Sequence, residues 1–321
     1  MSEIISLEKN YSTMRLLLGE QPLIENDAKN KYQTFLFLPE VEDRQGEGGL
    51  RAQAFYKKSQ INKPLITIIT VVFNCEKLEG TILSVFNQTY DNVEYIIIDG
   101  SSTDGTMDII KKYNHAIDYW VSEKDSGIFC AMNKGAGLAT GDYIYFLNAG
   151  DDFFCANTLS IIFDRNTDLL NYDHTLVLGN VMLTVDNEEF GLANRVGVNI
   201  PHQGAFVKKE VFNKIRFDET EKIFGDAIFW QSMKRKGIFR PLSTDIIVAQ
   251  FPMDGVGSSP EFIWLRFNES KRLLLATNDY LAIARRYLLS LIGYGCYKLF
   301  GTNFYFNVYI KAINSLVRIR G

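Results

Sequence analysis

The chain has no pair of cysteines in Cys-x-x-Cys spacing. Its four cysteines, Cys75, Cys130, Cys155 and Cys296, are scattered, which argues against a zinc ribbon or a disulfide framework and fits a reducing cytosol. No run of eighteen or more apolar residues offers a transmembrane helix, and the N-terminal MSEIISLEKN carries acids where a secretory signal would need an apolar stretch. No Gly-x-Gly-x-x-Gly follows the first strong strand, whose loop reads FNCEKLEG, and no Walker A sequence occurs, so neither a dinucleotide site nor a P-loop is expected. A basic excess is missing too: the formal net charge over 321 residues is −4, which argues against nucleic acid as a partner of the whole chain. With 46% hydrophobic and 22% charged residues, the chain reads as globular and long enough to bury a sizeable core.

What is present is an alternation of strand and helix. Residues 1–63 are mixed and polar and form an N-terminal extension that ends at Lys63-Pro64. LITIITVVF then runs apolar and β-branched, as a strand buried on both faces requires. A helix over about Glu76 to Gln88, the strand VEYIIID, a helix from MDIIKKY, the strand IDYWVS, a helix in DSGIFCAMNKGAGLA and the strand DYIYFLN follow in turn. This order predicts βαβ units and a mostly parallel α/β sheet over a domain of residues 64–254. Beyond it, residues 255–321 read as helical.

Ligands of such sheets bind beyond the carboxyl ends of the strands. The residues there are acids: Asp99, Asp104, Asp125 and, after YIYFLNAG, the pair Asp151 and Asp152. A carboxylate pair at a strand end is a solvated turn or a metal site. Acids repel phosphate unless a divalent cation stands between them, so a phosphate-bearing substrate here calls for Mg2+ or Mn2+.

TVVFN, EYIIIDGSSTDGT, SEKDSGIFCAMNKGAGLATGDYIYFLNAGDD and GDAIFWQSMKRKG together resemble the family 2 inverting glycosyltransferases of the GT-A fold, in the style of the bacterial enzymes that build surface polysaccharide. The resemblance is dense from Pro64 to Asp152, thinner to Phe251 and absent at both ends. It implies a Rossmann-like, mostly parallel sheet flanked by helices, a nucleotide-sugar donor such as a UDP-sugar, and a glycan acceptor, lipid-linked ones included. It also implies roles for residues. Val71, Phe73 and Asp99 would hold the nucleobase, with Asp125 beside the nucleoside and Asn148 near the ribose. Asp151 would bind the metal, His202 and Gln203 would meet the diphosphate or the acceptor, and Asp226 would be the base. The departures are Asn148-Ala149-Gly150-Asp151, where the family shows an acid, a spacer and a second acid, and Met132, which replaces an arginine before Asn133 and Lys134. As a plain helix cap, Asp226 would contribute stability and no chemistry.

From Tyr280 to Gly321 the chain carries Arg285, Arg286, Lys298, Lys311, Arg318 and Arg320 among Leu, Ile, Tyr and Phe, and no acid. That pattern suits helices lying on an anionic leaflet, which places the protein in the cytoplasm on the inner face of the inner membrane. Packing on the catalytic domain or on a second copy, as a homo-oligomer, is the alternative. The functional alternative is a catalytically silent nucleotide-sugar-binding module.

Overall fold

The computed structural model describes residues 4–24, 26, 29–164, 173–185, 188–193, 200–253, 259–275 and 280–306. They divide into two compact units, Met1–Leu183 with Gly191–Phe251, and Thr184–Phe190 with Pro252–Gly321.

The first unit opens with β1 (Gly46–Gly48) and β2 (Ile66–Val72), followed by α1 (Leu78–Phe86), β3 (Val93–Asp99), α2 (Thr106–Lys112), β4 (Tyr119–Ser122), α3 (Ile128–Leu138) and β5 (Tyr143–Phe146). Next along the chain come β6 (Asp152–Phe153), α4 (Thr158–Phe163), β7 (Leu176–Val185), β8 (Glu188–Leu192), most of which belongs to the second unit, β9 (Ala205–Lys208), α5 (Lys209–Phe212), α6 (Gly225–Arg235) and β10 (Pro241–Pro252). The strand path is β1-β4-β3-β2-β5-β9-β7-β10-β6. β2 is parallel to β3 and to β5, and β3 is parallel to β4. Antiparallel pairs β1/β4, β5/β9 and β7/β9 extend this centre on both sides.

Every residue of β2 and β3 is buried, as their continuous apolar runs require. Alternate side chains feed two cores: Ile66, Ile68, Tyr95 and Ile97 pack with α1, and Ile69, Val71, Ile96 and Ile98 pack with α3 and α6.

The N-terminal extension supplies the edge strand β1 and two buried ion pairs. Arg51 meets Glu94 at 2.7 Å, and Lys57 meets Asp118 at 2.6 Å. Burial pushes the Glu94 carboxyl up, but Arg51 and hydrogen bonds from Thr140 and Thr67 outweigh it and hold the pKa at about 2.

The second unit contains α7 (Ile263–Leu275) and α8 (Tyr280–Phe304), with a core of Ile263, Tyr305 and Phe306 flanked by Trp264, Tyr294 and Tyr297. Arg266 donates to the Ser259 carbonyl and to the Tyr305 hydroxyl. On α8, Leu281, Leu288, Ile292 and Leu299 are exposed, and their spacing of 7, 4 and 7 puts them in one stripe. Among the described residues no helix is long and apolar enough to cross a membrane. Lys311, Arg318 and Arg320 lie outside the described residues.

Candidate active site

In the path β4-β3-β2-β5 the strand order reverses at β2, so the loops after β2 and β5 part and leave a crevice at their carboxyl ends. Phe73 and Asn74 follow β2, and Asn148 to Asp151 follow β5. Asn74, at φ 49°, donates its N–H to Ser102 Oγ (2.8 Å) and accepts from the Thr103 N–H (2.8 Å), which ties the first loop to the loop after β3.

Asp99 ends β3 and is fully buried. It lies in register with Ser122 of β4, whose hydroxyl donates to Oδ2 at 2.5 Å, while Ser102 donates through Oγ to Oδ1 (2.5 Å) and through its N–H to Oδ2 (3.0 Å). Val71 is 6% exposed and packs in the core; at the crevice it offers its carbonyl, which accepts from the Ala149 N–H. Phe73, by contrast, is 64% exposed and free to stack on a ring. Gly100 brings Phe73 and Asp125 together: a Cβ there would sit 2.8 Å from Asp125 Oδ2 and 3.4 Å from the Phe73 ring. Asp125 accepts from the Gly127 N–H at 2.8 Å. Burial raises the pKa of its carboxyl and neighbouring Asp99 adds to this, against the Gly127 hydrogen bond and the charges of Lys134 and Lys222.

The other wall is built from three distant segments. Gln203 lies in a single 3-10 turn, His202–Gly204, and its Nε2 donates to Asp151 Oδ2 at 3.1 Å. Its carbonyl accepts from the buried Tyr145 hydroxyl, which fixes the turn against β5. His202 Nε2 is 2.9 Å from Asn148 Nδ2, and Nδ1 is 3.6 Å from Asp226 Oδ2. With the amide donating to Nε2, the ring proton sits on Nδ1 and faces Asp226. Asp226 occupies the first turn of α6, and the preceding glycine lets that helix approach: a Cβ on Gly225 would lie 2.6 Å from the Phe129 ring of α3. Asp151 is 4% exposed, and burial pushes its pKa up to about 7, with Asp152 adding to the rise and His202 and Gln203 opposing it. Asp152 points the other way, toward Gly80 of α1.

A family model described as glycosyl transferase family 2 matches residues 67–239, more than half of the chain. The chain belongs to glycosyl transferase family 2. An uncharacterised glycosyltransferase of Mycobacterium tuberculosis is 28% identical over 211 residues, covering 62% of this chain and 79% of the relative. A Bacillus subtilis glycosyltransferase named for teichuronic acid biosynthesis is 39% identical over 93 residues, 28% of this chain and 37% of that protein. A mannosyltransferase of Pyrobaculum calidifontis, solved with GDP-mannose and Mn2+, aligns with a TM-score of 0.52 and 15% identity over 82% of this chain and 83% of its own. That likeness is one of fold, and the fold of this family 2 glycosyltransferase is GT-A.

Among the described residues no cluster of three His, Cys, Asp or Glu side chains could hold a metal by itself. The oxygen donors present still fit Mg2+ or Mn2+, which are commonly bound by one or two carboxylates together with substrate phosphates. Asp151 supplies a carboxylate, and the buried Asn148 Oδ1 has no hydrogen-bond partner among the described residues. Sequence reasoning missed Lys222, whose Nζ reaches the Ser126 carbonyl at 2.8 Å from 96 residues away and brings a cation beside Asp125. It also missed Ser102 and Ser122. Asn133 instead holds the loop before α6 through Phe217 and Glu219, and Lys134 pairs with Glu123 at 2.8 Å.

Proposed function

We propose that the protein is an inverting glycosyltransferase that moves a sugar from a nucleotide-sugar, a UDP-sugar by the family resemblance, to a glycan acceptor of a bacterial surface polysaccharide. The observation that carries this reading is the line Asn148, His202, Asp226, which assembles a carboxylate and its orienting partners at the mouth of the crevice. Asp99 and the Phe73 ring receive the nucleobase, and Asp125 lies beside the nucleoside. Asp226 takes the proton of the acceptor hydroxyl as its oxygen bonds to the anomeric carbon, and the nucleoside diphosphate departs from the opposite face with the electrons of the broken bond. An α-linked donor therefore yields a β-glycoside. His202 and Gln203 orient Asp226 and Asp151. A divalent cation held by Asp151 and Asn148 Oδ1 would supply neutralisation of the leaving diphosphate. The Mn2+ and GDP-mannose of the Pyrobaculum mannosyltransferase support such a pairing of donor and metal. The exposed apolar stripe of α8, with Arg285 and Lys298 on the same acid-free helix, supports contact with an anionic leaflet, where a lipid-linked acceptor would be met.

The decisive experiment is Asp226→Asn. Asp226 does not cap its helix, whose N-cap is Phe224, and the amide keeps an oxygen for the Ala227 N–H but takes up no proton, so kcat should fall by roughly 10² to 10⁴ with donor affinity nearly unchanged. Retained turnover, or an α-linked product from an α-linked donor by NMR, would refute the mechanism. Donor binding without any turnover in the unaltered protein would favour the silent module.

A further inference from the structure

Asp125 sits at the centre of the loop from Glu123 to Gly127, between β4 and α3. Two lysines from outside that loop grip it on either side of the carboxylate. Lys134 of α3 donates through Nζ to the Lys124 carbonyl at 2.9 Å and pairs with Glu123 at 2.8 Å. Lys222, from the segment before α6, donates to the Ser126 carbonyl at 2.8 Å. The two carbonyls belong to the residues immediately before and after Asp125. A Cβ on Gly127 would lie 3.0 Å from Lys222 Nζ, and the φ of 134° there favours glycine, so the loop is shaped to admit the ammonium. The chain neighbours of Asp125 are engaged: Glu123 also meets Arg44 at 2.9 Å, and Lys124 lies 3.4 Å from Asp43.

The two oxygens of Asp125 face different surroundings. Oδ1 accepts from the Gly127 N–H, which closes the loop on itself, while Oδ2 lies by Gly100 beside the exposed Phe73 ring. A half-buried carboxylate near a second one favours its neutral form, and Asp99 of β3 is that second acid. Lys134 from α3 and Lys222 from the segment before α6 act against burial and Asp99. The difference matters for binding, because a hydroxyl donates about twice as strongly to an ionised carboxylate as to a neutral acceptor.

We infer that Lys134 and Lys222 are positioning residues for the donor, which hold the Asp125 loop from both sides and supply the positive charge that lets its carboxylate accept a hydroxyl of the donor nucleoside. The inference rests on Asp125 as a nucleoside contact, and the experiment separates the two.

UDP with Mg2+ is titrated by calorimetry into the full-length protein and its variants at pH 5, 7 and 8.5, each compared with the unaltered protein at the same pH so that the ionisation of UDP cancels. Without one lysine the Asp125 carboxyl takes its proton at a higher pH, so the deficit should grow as pH falls. Lys222→Gln and Lys134→Gln should each weaken UDP about fivefold at pH 5 and less than about twofold at pH 8.5. Lys222→Arg, which keeps the charge, should bind as the unaltered protein does. In an Asp125→Asn background neither lysine change should add a pH-dependent loss. A deficit of equal size at all three pH values would make the lysines direct diphosphate contacts or plain struts and overturns the inference, as does unchanged affinity at pH 5. Full UDP affinity in Asp125→Asn alone would instead remove Asp125 from the nucleoside site and overturn the reading beneath the inference.

Discussion

Replacing Asp151 by asparagine should stabilise the metal-free protein at alkaline pH and leave it nearly unchanged at acid pH. Burial raises this carboxyl from 3.8 to about 7 in the folded chain, whereas an unfolded chain titrates it near its ordinary value. Between about pH 4 and pH 7 the folded state therefore holds a proton that the unfolded state has released. Stability falls as pH rises through that window. Below it both states are protonated, and above it both are ionised and the penalty is constant. A shift of about three units at about 1.4 kcal/mol each sets a ceiling near 4 kcal/mol, and water reaching the crevice reduces it, so the expected gap at pH 8 is about 2–4 kcal/mol. Asparagine removes the ionisation while keeping an acceptor for Gln203 Nε2. Urea unfolding of both proteins in EDTA at pH 4.5, 6 and 8 measures the gap, which should open with pH. With Mn2+ and UDP added at pH 8, the order should reverse, because ligand binding then stabilises the protein that keeps its carboxylate. A difference between the two proteins that is the same at all three pH values would refute the reasoning.

Asp99→Ala should abolish UDP binding by calorimetry; an unchanged affinity would remove Asp99 from the nucleobase site. Arg51→Met should cost about 3–5 kcal/mol in urea unfolding by stranding Glu94 in the core, and adding Glu94→Gln should recover most of it. A loss below about 1 kcal/mol would show the pair to be well hydrated. Gly225→Ala should lower kcat with little effect on donor affinity, since its Cβ would press on the Phe129 ring and displace the start of α6. Full activity would free Asp226 from that packing. Leu288→Asp with Leu299→Asp should release the protein from anionic vesicles in a flotation assay while sparing turnover on a soluble acceptor; loss of a dimer instead would assign the α8 stripe to a second copy.

The parallel centre was legible because strands buried on both faces have little freedom of composition: ITIITVV and VEYIIID read as strands and are strands. The strand ends were legible for the same reason, since Asp99 and Asp151 interrupt apolar runs. Pairings between distant segments were not. Nothing in the spacing of Asn148, His202 and Asp226 announces that one imidazole bridges the other two, because the antiparallel β9 is what carries His202 to the end of β5. Ser122 meets Asp99 only through the β3/β4 register, which a single strand does not encode.

Both ends of the strand path are short, three residues in β1 and two in β6. Unpaired backbone groups along a sheet edge are a template for joining another chain, and brief edge strands limit that risk. β1 covers β4, whose four residues Tyr119–Ser122 are all buried, and its glycines lie against the Trp120 indole. A version beginning at Pro64 would keep every side chain assigned to sugar transfer, yet would bare the hydrogen-bonding row of β4 beside an aromatic surface. It would also leave Glu94 and Asp118 buried without Arg51 and Lys57, so its failing would be colloidal as well as structural: a weakened sheet growing edge to edge into insoluble aggregates.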